Sequence, residues 1–218
     1  MQIVILSVIA MLCFAATSVF RHISDTKTLI SVAIGCAINA NIFNSVSMPI
    51  HFAKMTFGID SVLYTLFMFT VIIKAKDYSV KAAKDLTIST IIAIIVSAFI
   101  ELFAKWSFSG INKQVILSFS SYLLSSFGTF LGVWAMLWCF RIFEAKRVNV
   151  YLTFAVVVTI ASLINSSVYF GGASLVSGDF SNILSPTLTG SYIGKLFSIQ
   201  LGLLGFFVNQ RFLKPNRR

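Results

Sequence analysis

The chain has 218 residues, of which 57% are hydrophobic and only 11% charged, with a mean hydropathy of +0.90. Soluble domains carry about 25% charged residues, and a water-soluble fold of this size could not hide so much apolar surface; a lipid bilayer can cover it. The net charge of +10 raises nucleic acid as a partner, but the basic residues form no aromatic-interleaved stripe and sit between apolar runs, so no nucleic-acid binding is expected.

Apolar runs follow one another along the chain at Gln2–Phe20, Thr28–Val46, Thr56–Ile73, Leu86–Ala104, Val115–Phe140, Val150–Phe170 and Thr189–Asn209. The first lacks a basic leading segment and a small-residue cleavage site, and its nineteen uncharged residues are long enough to span. It is read as a retained first helix rather than a signal peptide. The second is the most polar, interrupted by Asn39, Asn41 and Asn44. With three prolines in 218 residues and no low-complexity linker, residues 1–218 form a single polytopic membrane domain. Cys13, Cys36 and Cys139 all lie inside apolar runs, with no metal or redox spacing; they read as buried free thiols, and no metal or cofactor is expected.

Lysine and arginine alternate across these runs. The segments after runs one, three and five and the C-terminal tail hold 13 of them, and the N-terminus with the segments after runs two, four and six holds 3. Positive residues favour the cytoplasmic side. The expected architecture is therefore an all-α integral membrane protein of the cell inner or plasma membrane, with about seven transmembrane helices. Its N-terminus lies outside and its C-terminus in the cytoplasm. The segment Gly171–Pro186, without Lys or Arg, is expected to form an outer surface loop or lid.

Orientation gives each polar residue a depth. Asn41 and Asn44, Asp60 and Tyr64, Glu101, then Ser162, Asn165, Ser166 and Tyr169, and finally Ser191, Tyr192 and Lys195 all fall in the outer half of their runs. Ser162, Asn165, Ser166 and Tyr169 stand at i, i+3, i+4 and i+7 on one helix face, and Ser191, Lys195, Ser198 and Gly202 share another. Amides and charges facing lipid are costly, so these stripes should point inward, towards a substrate-binding cavity open to the outside. Three plainer readings compete. Asn and Ser can simply bond helices together, Asp60 and Glu101 lie near enough to the interface to be solvated, and Lys195 can snorkel. Lys195 lies six residues into its run, a depth of about 9 Å. Ser118, Ser121, Ser125, Gly128, Thr129 and Gly132 read as a close-packing face of the fifth run.

No zinc-protease, nucleophile-elbow or Walker motif occurs, and no enzyme activity is expected. A chain without a nucleotide site cannot drive ATP-dependent transport alone, so uptake of a small-molecule substrate would be passive, ion-coupled or powered by a partner ATPase module. A substrate-binding subunit of an ATPase-energised vitamin transporter, or a structural or assembly membrane protein with no ligand, are the alternatives.

The order of several short motifs resembles the queuosine-precursor transporter family, also called vitamin uptake transporters, over nearly the whole chain. These are Ala40–Asn41–Ile42 ending the second helix, Gly58 and Tyr64 opening the third, the basic turn Tyr78, Lys81, Ala83 and Lys84, and Tyr192 with Lys195 opening the last. The resemblance implies a six-helix core with an extra N-terminal helix, and import of a small planar purine-like base, a 7-deazaguanine such as preQ0 or preQ1. Where members carry an Asp and a Glu at the inner end of the third helix, this chain has Ile72 and Lys76, and the Asp of a sixth-helix Asp-Ser pair is Asn165 before Ser166. These departures mark a divergent member with a different substrate preference.

Overall fold

The computed structural model describes residues 30–39, 49–52, 55–110, 113–178 and 186–212. The first apolar run, Asn41 and Asn44 lie outside them. Among the described residues the chain forms six helices and one short hairpin: α1 (Ile30–Asn39), β1 (Pro49–Phe52), β2 (Met55–Gly58), α2 (Ile59–Asp77), α3 (Val80–Ser109), α4 (Lys113–Ala145), α5 (Val150–Ser177) and α6 (Pro186–Phe212). The strands pair antiparallel, from Pro49 opposite Gly58 to Phe52 opposite Met55. β2 therefore takes the first residues of the third apolar run, and helix begins only at Ile59.

Helices α3, α4 and α5 are each long and apolar enough to cross a membrane, and α1 and the stretch Tyr192–Phe207 are shorter apolar helices. The helices outrun the apolar windows because hydropathy marks the lipid core, whereas backbone hydrogen bonding continues until a cap stops it. α5 shows this most clearly. Helix runs on through Gly171 and Gly172 to Ser177, where the expected loop should already have begun. It stops at Gly178, whose left-handed backbone (φ 73°) lets its N–H donate to Ser174 O at 2.9 Å. At the opposite end of the bundle, α2 turns into α3 through Tyr78 and Ser79, and the Ser79 hydroxyl accepts from Ala82 N at 3.0 Å as the N-cap. Asn149 caps α5 in the same way, accepting from Tyr151 N at 2.9 Å.

The bundle is apolar on the outside. Ile88, Ile92, Val96, Phe99 and Phe103 recur at helical spacing along α3, and all five are exposed. Leu123, Phe127, Phe130, Trp134 and Trp138 do the same on α4, with Trp138 64% exposed. Two such ridges would be untenable in water but suit contact with lipid tails. α2 is the opposite case. Every residue from Ser61 to Ala75 except Leu63 is buried, so this helix has no lipid-facing stripe and forms the axis of the bundle.

Its burial extends to Lys74, which the sequence placed in a cytoplasmic loop. Lys74 instead belongs to the last turn of α2, is 2% exposed, and sets its ammonium 3.7 Å from the centre of the Tyr78 ring. Lys76 in the same turn lies over Phe154 and Phe206, and Lys84 in α3 lies 4.0 Å over Trp134. The cations at this end are carried on helices and clamped by aromatic faces, and Lys74 and Lys76 stand in a last turn where the helix dipole also favours positive charge.

Small residues set the closest approaches, as the packing-face reading of the fifth run expects. A Cβ added at Gly132 on α4 would stand 2.7 Å from the Ala161 carbonyl oxygen of α5, and one at Gly128 would stand 3.0 Å from that of Asn165. On α6, a Cβ at Gly202 would strike the Phe69 ring of α2 at 2.5 Å. Gly132→Ala should therefore lower the melting temperature of the detergent-purified protein, since overpacking against fixed backbone costs about 1–3 kcal/mol. Gly171→Ala, with nothing within 4 Å of its added methyl, should hold or raise it through better helix propensity. Equal shifts for the two variants would rule out this account of the α4–α5 contact.

Candidate functional site

Several buried hydroxyls of the bundle bond to their own helix. Thr65 donates to Ser61 O, Thr70 to Leu66 O, Thr87 to Ala83 O, Thr90 to Leu86 O and Ser126 to Tyr122 O, all at 2.8–2.9 Å. This one-turn back-bonding satisfies a hydroxyl locally and ties no helices together.

One region behaves differently. Lys195 of α6 is 5% exposed, and its ammonium donates to Asn165 Oδ1 at 3.0 Å and Ser166 Oγ at 2.6 Å, both on α5. The same ammonium lies 4.7 Å from the centre of the Tyr64 ring on α2. Asn165 Nδ2 in turn donates to Thr129 Oγ1 of α4 at 3.3 Å. A lysine has only protons to offer, so it orients the amide: the carbonyl end faces Lys195, and the NH2 end is left for Thr129. Tyr192, one turn before Lys195, shares a 2.7 Å hydrogen bond with Ser167 of α5. Four helices thus meet in one polar cluster around a buried amine.

α6 begins at Pro186, which puts Lys195 nine residues into the helix, a depth of about 14 Å at 1.5 Å per residue. The amine does not snorkel; it turns inward to fixed oxygens. Asp60, in the first turn of α2, is partly buried. No direct contact joins it to Lys195 among the described residues.

The cluster gathers Asp60, Tyr64, Asn165, Ser166, Tyr192 and Lys195 from the residues singled out in the sequence. Ser162 shares the α5 face one turn earlier; it is 3% exposed, and its hydroxyl has no hydrogen-bond partner among the described residues. Glu101 is not part of the cluster. It pairs with Lys105 on its own helix α3, beside Val115, Phe119 and Tyr122. Asn41 and Asn44 lie outside the described residues. Thr129 joins the cluster from α4 although the sequence placed it on a purely structural face. The Tyr64 hydroxyl, fully enclosed, lies beside Thr129 and 3.2 Å from where a Gly132 Cβ would stand, without a well-formed hydrogen bond. The glycine stripe is what lets α4 come close enough for Thr129 to reach Asn165.

These contacts set an unusual order of mutational costs. Asn165→Ala should destabilise the protein more than Lys195→Met does. The first strands a buried ammonium without its carbonyl, a loss of about 1.5–3 kcal/mol, whereas the second removes the charge and keeps the volume. Melting of the purified variants checks this, and a larger loss for Lys195→Met would contradict it. No family model, curated protein or solved structure matches the chain, so its function has to be argued from these side chains.

Proposed function

We propose that the chain is a multi-pass transporter of the cell membrane that imports a small solute through the cluster centred on Lys195. The carrying observation is that amine, nine residues into α6, 5% exposed and held by Asn165 and Ser166. An ionisable group so deep in an apolar bundle is expensive to keep. A structural bond between helices needs no charge at all, because Asn and Ser would suffice.

The alternation of positive charge supports seven spans with the N-terminus outside and the C-terminus in the cytoplasm, which puts the cluster in the outer half of the membrane. The resemblance noted in the sequence supports a planar purine-like base as the solute, preQ0, preQ1 or a related compound suited to the departures at Ile72, Lys76 and Asn165. Asn165 is engaged at both ends of its amide, so its part is to hold Lys195 in place. Lys195 would meet a carbonyl of the base, the Tyr64 ring would flank it, and Tyr192 would cover it from the outer side.

Two measurements test this. The purified protein in liposomes should take up labelled preQ0 or preQ1 without any ATPase, and the Asn165→Ala, Lys195→Ala double variant should lose most of that uptake. Wild-type uptake by the double variant would remove the site from consideration. For the orientation, a fluorescent protein fused after Arg218 should fold and fluoresce in cells, and alkaline phosphatase fused there should stay inactive; the reverse pattern would invert the topology.

A further inference from the structure

The groups that hold Lys195 are uncharged oxygens, Asn165 Oδ1 at 3.0 Å and Ser166 Oγ at 2.6 Å, with the face of the Tyr64 ring 4.7 Å away. Ser162 Oγ, one turn earlier on the same face of α5, is buried and has no hydrogen-bond partner among the described residues, so the ammonium is met by two oxygens. An amide carbonyl, a hydroxyl and a π-face, with no carboxylate in contact among the described residues, are the neutral surroundings that suit a hard monovalent cation. Inside membrane transporters such sites are built from neutral oxygens at bundle depth and hold the coupling sodium ion.

We propose that Lys195 Nζ fills a monovalent-cation site on α5, so that the lysine serves as a tethered cation where an ion-coupled transporter would hold sodium. A covalently attached cation cannot be released to the cytoplasm. It balances the Asn165 and Ser166 dipoles that face it, and the site needs no dissolved ion to be complete. For import, this means that uptake draws nothing from a sodium gradient. That consequence rests on the transport reading; the occupancy of the site by the lysine does not.

The test measures the site without using any solute. Full-length wild-type protein and the Lys195→Ala variant, purified in detergent, are melted in sodium chloride, methylammonium chloride and choline chloride at matched ionic strength. In choline the variant should melt well below wild type. Methylammonium, the free counterpart of the missing group, should restore several degrees, and sodium should restore part of the loss. Wild type should melt alike in all three salts. A variant that melts identically in the three salts, or a wild type that gains from sodium over choline, would overturn the proposal. If Lys195→Ala does not survive purification, Lys195→Ser takes the same comparison. Salt rescue together with absent uptake would refute transport and leave the cation site standing.

Discussion

A positive charge has to be kept in the middle of an apolar bundle, and the arrangement of the other helices follows from how that is done. The Lys195 ammonium has left water and is met by an amide carbonyl and a hydroxyl rather than by a carboxylate. Neutral acceptors repay only part of the desolvation cost of an ion, so they must be held rigidly and all together. Asn165 can present its carbonyl because Thr129 takes its NH2 group. Thr129 can reach because Gly128 and Gly132 let α4 lie against the backbone of α5. Tyr64 can offer its ring because α2 is enclosed on all sides, with Phe69 seated on Gly202 of α6. One buried amine thus joins four helices, and Gly128, Gly132 and Gly202 set the distances at which they meet.

The exterior is organised by the opposite requirement. α3 and α4 spend their large apolar side chains outward, and buried Thr87, Thr90, Ser126 and Thr129 face inward. A soluble helix would reverse this distribution. The arrangement becomes economical once lipid takes over the role of a hydrophobic core.

Much of this was legible in the sequence. The apolar runs located α3, α4 and α5 because lipid contact demands long uninterrupted apolar stretches, and the i, i+3, i+4 spacing of Ser162, Asn165 and Ser166 identified the face that meets Lys195. Depth was read less well. Thr189 looked like the start of the last helix, since Pro186 to Leu188 do not stand out in hydropathy, yet Pro is well suited to a first helical turn, and the extra residues carry Lys195 further from the helix end. Lys74 was missed for a related reason. A charge at the edge of an apolar run reads as the start of a loop, and nothing local reveals that Tyr78, one turn on, will cover it. Depth alone groups Glu101 with the cluster, but depth leaves azimuth open, and α3 sets it against Lys105. Thr129 could not be assigned because a small residue among small residues signals close approach without saying which polar group arrives opposite it.

The locally bonded hydroxyls of α2, α3 and α4 carry a consequence for motion. Thr65, Thr70, Thr87, Thr90 and Ser126 keep their hydrogen bonds however their helices slide, because donor and acceptor travel on the same rod. They act as a dry lubricant: polar groups that neither lock neighbouring helices nor become stranded when those helices shift. Among the described residues, resistance to sliding is then concentrated where side chains bond across helices, at Lys195 with Asn165 and Ser166, Asn165 with Thr129, and Tyr192 with Ser167.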